Sequence, residues 1–160
     1  MRRPAGQMLS LEQAGAFVTG VRAAGGRVAF TNGVFDVLHP GHVRYLAEAR
    51  ALADVLIVGV NSDRSVRAIK GPNRPVNSEQ ERAQVLVSLA SVDAALVFDE
   101  DTPYNVIRYL QPDVLVKGAD WALDAIVGRA EVEKAGGRVV RVELLKGRST
   151  TSILERIQAS

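Results

Sequence analysis

The chain has 160 residues, of which 47% are hydrophobic and 24% are charged, and its formal net charge is +2. This length and composition predict one globular domain, residues 1–160, with room for a hydrophobic core. The absence of cysteine excludes disulfides, thiolate catalysis and cysteine-based zinc sites.

The sequence carries no signal for export or for a membrane span. The N-terminal Met-Arg-Arg-Pro is basic, but no apolar segment and no small-residue cleavage site follows it. No run approaches the roughly 20 apolar residues that a transmembrane helix needs. The basic residues are scattered, which disfavours nucleic-acid binding. We therefore expect a cytoplasmic protein that acts on small molecules and binds neither nucleic acid nor membranes.

Strand-like and helix-like segments alternate along the chain. Ser10 and Gln13 have the form of a capping box at the start of a helix over 10–24, which precedes the first strand and to which we assign no chemistry. The predicted strands are 27–31, 55–60, 94–98, 114–117 and 138–142. The later predicted helices are 40–52, a short one ending near 69, 78–89, one from 101 or 102 to 110, 126–135, and a terminal one ending at 157.

This alternation predicts an α/β fold, a Rossmann-like doubly wound parallel sheet of about five strands with helices on both faces. In such sheets ligands bind beyond the carboxyl ends of the strands, where the strand order reverses. Four polar clusters directly follow predicted strands, at 31–36, 61–63, 117–121 and 146–151. We therefore expect the functional site at that edge of the sheet.

The segment from 30 to 42 is the strongest candidate for the centre of this site. Pro40 suits the first position of a helix, which places His39 at or near the N-cap and His42 about one turn further. These are the only two histidines in the chain. Two imidazoles and several unpaired backbone N–H groups at one helix N-terminus suit a phosphate group.

Two other interpretations of the histidine pair stay open at this point. As metal ligands they lack a third partner, although Asp36 could supply one. As structural residues, one would cap the helix and the other would be solvated. Neither G-x-G-x-x-G after the first strand nor G-x-x-x-x-G-K-[ST] occurs, so phosphate binding would not rest on either glycine loop. The position after the first strand of a doubly wound pattern favours the phosphate site.

Two motifs resemble the signatures of a known family. Gly33-Val-Phe-Asp36 followed by His39-Pro-Gly-His42 resembles the G-x-F-D and H-x-G-H signature of the cytidylyltransferase-like nucleotidyltransferases. The segment 147–153 resembles that family's second signature, at the start of the last helix. The resemblance covers about residues 27–157. Within the family, the segments 30–39, 60–63, 70–77 and 113–118 are most similar to heptose 1-phosphate adenylyltransferases. In bifunctional relatives this domain follows a sugar kinase, so we expect the stand-alone form here.

The resemblance implies that AMP is transferred from ATP, with Mg²⁺ accompanying the ATP, to D-glycero-β-D-manno-heptose 1-phosphate. The product would be ADP-heptose, for lipopolysaccharide biosynthesis. A sugar-phosphate oxygen attacks the α-phosphorus in line and magnesium pyrophosphate leaves, so no protein nucleophile is needed. Catalysis then consists of positioning and charge stabilisation. Because relatives are commonly homodimers, the resemblance also implies a homodimer.

The resemblance assigns expected roles to the matching residues. The expected catalytic residues are His39, His42, Lys70 and Lys117. The expected ATP-binding residues are Thr31, Asn32, Gly33, Phe35, Gly41, Arg148, Ser149, Thr150 and Thr151. The expected acceptor-binding residues are Asp36, Asn61, Asp63, Arg74, Arg82, Asp120 and Trp121. No metal ligand is assigned.

Each role has a physical reason and an alternative. A helix N-terminus disfavours imidazolium, so His39 and His42 would act as neutral donors to the phosphates. The hydroxyls and N–H groups of 149–151 suit the β- and γ-phosphates, and a plain N-cap is the alternative. Lys70 and Arg74 lie in a segment rich in glycine and proline that would close on pyrophosphate or sugar phosphate, unless they are merely solvated.

The remaining acceptor-side residues follow the same logic. The carboxylate and amide groups are expected to contact sugar hydroxyls or the metal. Arg82 matches a helix arginine that binds phosphate in relatives, with a surface role as the alternative. Trp121 would stack on the ligand, unless it only packs.

Two alternative functions stay open. One is a cytidylyltransferase acting on glycerol 3-phosphate or a similar alcohol phosphate, or an FAD synthetase-type adenylyltransferase. These families share both signatures but look less similar in 70–77 and 117–121. The other is a non-catalytic nucleotide-binding or regulatory module that uses the same pocket.

Overall fold

A computed structural model describes residues 5–160, so the basic Met-Arg-Arg-Pro start lies outside the described residues. The strands are β1 (Gln7–Met8), β2 (Val28–Gly33), β3 (Val55–Asn61), β4 (Ala94–Phe98), β5 (Val114–Gly118) and β6 (Arg138–Val142). The helices are α1 (Leu11–Ala23), α2 (Pro40–Ala51), α3 (Asp63–Lys70), α4 (Glu79–Val87), α5 (Tyr104–Leu110), α6 (Arg129–Lys134) and α7 (Thr150–Gln158), with a 3₁₀ turn at Leu123–Ala125.

The strands form one parallel sheet in the order β1-β4-β3-β2-β5-β6. This confirms the doubly wound α/β fold. The sheet has six strands instead of the expected five, because the two residues of β1 pair with Ala94 and Ala95 at the edge. A two-residue exposed strand is too short to leave an alternating pattern in the sequence.

The inner strands β2, β3 and β5 are buried on both faces along most of their length, as their continuous apolar runs predict. Along β3, Leu56, Val58 and Val60 face one core, which also contains residues of α2 and α4. Ile57 faces the opposite core, to which α1, α5 and α6 contribute. Because successive residues of a strand point to opposite faces, one strand serves both layers.

Several predicted helix starts are confirmed. Ser10 and Ser78 both form complete capping boxes, with Gln13 and Glu81 respectively. His39 is the N-cap of α2, and proline occupies the first turn. The histidine pair therefore lies at the N-terminal end of a helix that begins where the sequence places it.

Three boundaries differ from prediction. β2 continues through Gly33 instead of turning at Thr31, because its pairing with β3 extends to Gly33↔Val60. The helix predicted over 126–135 is shorter in the structure, where α6 covers Arg129–Lys134. Gly128, immediately before it, has a positive φ of 86° and therefore does not continue a helix. Pro103 is the N-cap of α5 and makes no side-chain capping bond, so α5 begins at Tyr104 instead of at the predicted start, 101 or 102.

Candidate functional site

A cavity of about 330 Å³ opens at the carboxyl edge of the sheet, where the strand order reverses between β2 and β5. Backbone pairing between these strands covers only Ala29↔Val114 and Phe30↔Leu115. By contrast, β2 and β3 pair at six positions. The two strands therefore separate early, and the crevice lies where parallel sheets bind ligands.

Most of the predicted site residues line this cavity. From the first signature and its strand these are Asn32, Gly33, Phe35, Asp36, His39, Gly41 and His42. From later segments they are Lys70, Arg74, Lys117, Asp120, Trp121, Ser149, Thr150 and Thr151. The fold thus brings together residues from segments that are more than 100 positions apart.

The two histidines form a stacked pair. Their ring centroids are 3.8 Å apart and the ring planes differ by 27°. Nδ1 of His39 accepts a hydrogen bond from the backbone N–H of Gly41 at 3.1 Å. A neutral His39 must therefore carry its proton on Nε2, which makes that atom the donor.

Both imidazoles are held in the neutral form near neutral pH. Burial, reinforced by the adjacent His39, lowers the pKa of His42 to about 4. Burial and the charge of Arg148 also lower the pKa of His39. Nδ1 of His42 is buried and has no hydrogen-bond partner among residues 5–160. These directions agree with the predicted neutral donors.

The backbone conformation at Phe35 and the lack of a side chain at Gly41 allow close contacts with the two histidine rings. Phe35 has a positive φ of 49°, which is rare for a bulky residue and costs about 1–3 kcal/mol. Its ring meets the His42 ring edge-on, with centroids 5.4 Å apart. A Cβ on Gly41 would lie 2.8 Å from the Nδ1 and Cε1 atoms of His39. Glycine at position 41 is therefore what allows the backbone N–H to approach the imidazole.

Lys117 places a buried amine at the cavity wall. Its Nζ donates to Oδ1 of Asn32 at 2.7 Å and lies 5.4 Å from the ring centroid of Trp121. Burial lowers the pKa of Lys117 to about 8, although the carboxylate of Asp120 acts in the opposite direction. Half of Trp121 is exposed, so the ring has a free face and does not simply pack in the core.

Asp36 anchors the loop between α3 and α4. Its carboxylate accepts from Nε of Arg74 at 2.9 Å and from the backbone N–H groups of Val76 and Asn77 at 2.8 and 2.9 Å. Burial raises the pKa of Asp36, but the hydrogen bonds from Asn77, Val76 and Arg74 together lower it below its ordinary value. Both oxygens are occupied within the protein, which differs from the expected contact with sugar hydroxyls or a metal.

Arg82, expected to bind phosphate, is buried outside the cavity. Its guanidinium donates to the backbone oxygens of Asn77 and Val34 and forms an ion pair with Asp63 at 2.9 Å. The side chain is completely buried, so it holds three segments together and does not reach the cavity. Asp63 is occupied by the same ion pair.

Three other predicted residues also lie outside the cavity lining. Asn61 donates through its Nδ2 to Ser65 Oγ at 3.2 Å. The hydroxyl of Thr31 is fully buried and bonds to Tyr45 Oη at 2.8 Å, so it is not available to a nucleotide. Arg148 is exposed in the loop before α7. Its positive charge contributes to the lowered pKa of His39.

The second signature is tied to the first. Thr150 Oγ1 donates to the backbone oxygen of Val37 at 2.9 Å, which brings the start of α7 against the loop before α2. Ser149 caps α7 through a capping box with Ser152, so its hydroxyl already serves the helix. Thr151 is exposed, and Lys70 is the exposed last residue of α3.

Sequence reasoning missed several residues of the cavity wall. Tyr45 lies one turn after His42 on α2, and burial raises its pKa to about 12. That helical spacing puts both side chains on one face, which could have identified Tyr45. Leu144 and Leu145 also line the cavity, and they follow β6 at the same edge of the sheet.

Two further structural findings concern metals and membranes. No group of three or more metal-ligating histidine or acidic side chains occurs within residues 5–160. In the same range every helix is too short or too polar to cross a bilayer.

Comparison with known proteins identifies the family. The cytidylyltransferase-like family model matches residues 30–156. The chain is 55% identical over 136 residues to the bifunctional protein HldE of Syntrophotalea carbinolica, covering 85% of this chain and 28% of that protein. It is 54% identical over 148 residues to HldE of Caulobacter vibrioides, covering 92% and 31%. The chain thus spans under a third of these relatives.

Two solved structures share the fold of this chain. The lipopolysaccharide core biosynthesis protein of Thermoplasma volcanium superposes with a TM-score of 0.62 at 30% identity, covering 77% of this chain and 99% of that one. A pantoate-beta-alanine ligase of Francisella tularensis has the same TM-score at 15% identity, covering 96% and 77%, which shows the shared fold alone. With both signatures at one cavity, the chain belongs to the cytidylyltransferase-like family and is a nucleotidyltransferase.

Proposed function

We propose that this nucleotidyltransferase transfers AMP from ATP to D-glycero-β-D-manno-heptose 1-phosphate and releases ADP-heptose and pyrophosphate. The observation that carries the proposal is the meeting of the neutral histidine pair, Lys117 and the start of α7 at one cavity. The similarity to HldE proteins and to a lipopolysaccharide core biosynthesis protein supports the choice of acceptor.

In the proposed step an oxygen of the acceptor phosphate attacks the α-phosphorus of ATP. The new O–P bond forms as the bond between the α-phosphorus and its bridging oxygen breaks, and the electron pair leaves with pyrophosphate. Negative charge moves from the acceptor onto the leaving group. Donors fixed before the reaction stabilise that charge without reorganisation.

The protein groups proposed for this task are already oriented. His39 presents an Nε2–H, because its Nδ1 is held by Gly41. A neutral donor loses no proton in the step, so the histidines bind and stabilise while the reaction proceeds between the two substrates. Lys117 supplies positive charge at the wall of the same cavity. The N–H groups at the start of α7 suit the β- and γ-phosphates.

We propose that magnesium enters with ATP as part of the substrate. The described residues offer no cluster of ligands for a resident ion. Mg²⁺ commonly keeps several waters and is held largely by substrate phosphates, so such a cluster is not required. The ion would lower the charge of the triphosphate, and we assign no protein side chain to it.

On the acceptor side we propose Lys70, Arg74 and Asp120, with Trp121 covering the ligand. Lys70 is free at the end of α3, whereas Arg74 is held by Asp36 with its side chain 14% exposed. The resemblance further leads us to propose a cytoplasmic homodimer.

The test is a pyrophosphate-release screen of ATP, CTP, GTP and UTP against heptose 1-phosphate, glycerol 3-phosphate and flavin mononucleotide. We expect turnover with ATP and heptose 1-phosphate in the presence of Mg²⁺. Turnover confined to CTP and glycerol 3-phosphate, or to ATP and flavin mononucleotide, would replace the proposed acceptor. The absence of turnover with any pair, while ATP still binds, would favour the non-catalytic module.

A further inference from the structure

We propose that Asn32 is a positioning residue, whose amide oxygen holds the Lys117 ammonium across the mouth of the crevice and leaves its charge available to an anionic substrate. This inference rests on the proposed nucleotidyl transfer. It gives Asn32 a task toward Lys117, in addition to the nucleotide contact expected from the sequence.

The first support is the position of the bond in the sheet. The backbone ladder between β2 and β5 stops at Phe30↔Leu115. On their outer sides both strands remain paired, β2 as far as Gly33↔Val60 and β5 as far as Gly118↔Val142. The 2.7 Å bond from Lys117 Nζ to Asn32 Oδ1 therefore spans the gap between β2 and β5. Each of these strands is held on its other side by backbone pairing, β2 with β3 and β5 with β6.

The second support is that Lys117 forms no direct ion pair within the described residues. Lys117 is only 9% exposed, yet within residues 5–160 no carboxylate lies within ion-pair distance of its Nζ. Buried charges are normally paired, because desolvating them is unfavourable. An amide oxygen satisfies one of the three donors of the ammonium group and adds no negative charge. The positive charge thus remains for a ligand in the cavity.

The third support is the chemistry of the amide itself. An ammonium group only donates, so the Asn32 atom that faces it must be the oxygen. The Nδ2 group is then left as a donor on a residue that lines the cavity. Asn32 in this orientation serves both the lysine and a substrate acceptor, which aspartate could not do.

Other titratable groups around Lys117 need to be considered in any titration. Asp120, in the loop after β5, raises the pKa of Lys117 and also acts on Tyr45 from α2. Tyr45 stays protonated near neutral pH, since its pKa is raised to about 12. Tyr45 therefore does not contribute to the titration of Lys117 between pH 6 and pH 9.

The decisive variant is Asn32→Asp, which has nearly the same shape and adds one negative charge. We expect the Lys117 pKa, followed by NMR of ¹³C-labelled lysine, to rise by at least one unit. We expect the Kd for ATP and for inorganic pyrophosphate to rise about tenfold or more, because the new carboxylate pairs with the ammonium group. Asn105→Asp, on the exposed side of α5 and outside the cavity, is the matched control and should change neither quantity.

Two more variants separate charge from structure. Asn32→Ala removes the tether without adding charge, so it should weaken ATP binding less than Asn32→Asp does. In a Lys117→Met background, Asn32→Ala should cause a smaller further loss than it causes in the wild type, because no ammonium group is left to hold. An Asn32→Asp protein that binds ATP like the wild type, or an Asn32→Ala loss that is equal in the two backgrounds, would overturn the proposal. If no acceptor supports turnover, the proposed function fails, but these binding and titration measurements still decide the role of Asn32.

Discussion

The substitution Asp36→Asn tests whether the loop between α3 and α4 is held by charge. The side chain is completely buried, and its two oxygens accept from three donors, one of them the guanidinium of Arg74. The amide keeps one oxygen but turns an NH₂ group toward donors. Breaking a buried ion pair by removing one partner costs about 3–5 kcal/mol, so we expect a loss of about 3 kcal/mol in the free energy of unfolding. For a chain of this size that corresponds to a decrease in Tm of about 6–12 °C.

Urea denaturation followed by circular dichroism measures this loss, and its pH dependence gives a second check. Because the pKa of Asp36 is lowered in the folded state, its contribution is complete above the ordinary value of 3.8 and is lost as the pH falls through the folded-state pKa. The difference between wild type and variant should therefore shrink below that pH. Asp99→Asn is the control, since Asp99 also bonds an arginine but is 68% exposed, and its effect should be smaller. Equal losses in both variants would refute the reasoning.

Three further predictions concern the histidine pair. His39→Ala and His42→Ala should each lower kcat by about 10²–10³, the usual effect of removing one fixed donor, and pyrophosphate release at wild-type rates would contradict the mechanism. Burial lowers the pKa of His42 from 6.5 to about 4 in the folded protein. The free energy of unfolding of the wild type should therefore fall as the pH is lowered from 6.5 toward 4, and His42→Ala should not show this loss. Gly41→Ala should displace the His39 ring and lower kcat at least tenfold. The free energy of unfolding should change by less than about 2 kcal/mol, because the higher helix propensity of alanine offsets part of the steric cost. Gly20→Ala, whose Cβ meets nothing within 4 Å, should leave kcat unchanged.

Local signals made most of the fold predictable. The helices that follow Ser10 and Ser78 could be predicted, because a capping box is encoded within four residues of sequence. The continuous apolar run of β3 announced a strand buried on both faces. β1 and the start of α6 were not predictable in this way. β1 exists only because β4 offers an edge to pair with, and the bounds of α6 depend on a glycine with positive φ.

The candidate site shows the same division between local and tertiary information. Sequence order located the polar clusters at one edge of the sheet, and the cavity contains most of them. The sequence does not indicate which polar side chains form hydrogen bonds or ion pairs with other residues of the protein and are therefore not available to a ligand. Arg82 was expected to bind phosphate and Thr31 to bind ATP, yet their partners are Asp63 and Tyr45, which lie 19 and 14 positions away in the chain. Such pairings depend on packing, which has no pattern in the local sequence.

The polar side chains that bond within the protein hold the cavity-lining residues in place. Arg82 and Asp36 bind the α3–α4 loop to the segment between β2 and α2, and Thr150 binds α7 to the same segment through Val37. Phe35, held in a strained conformation there, packs against His42. Because a strained residue persists only where its surroundings fix it, these three anchors supply the rigidity that a preorganised donor pair requires. The polar residues that never reach the cavity thus determine the geometry of those that do.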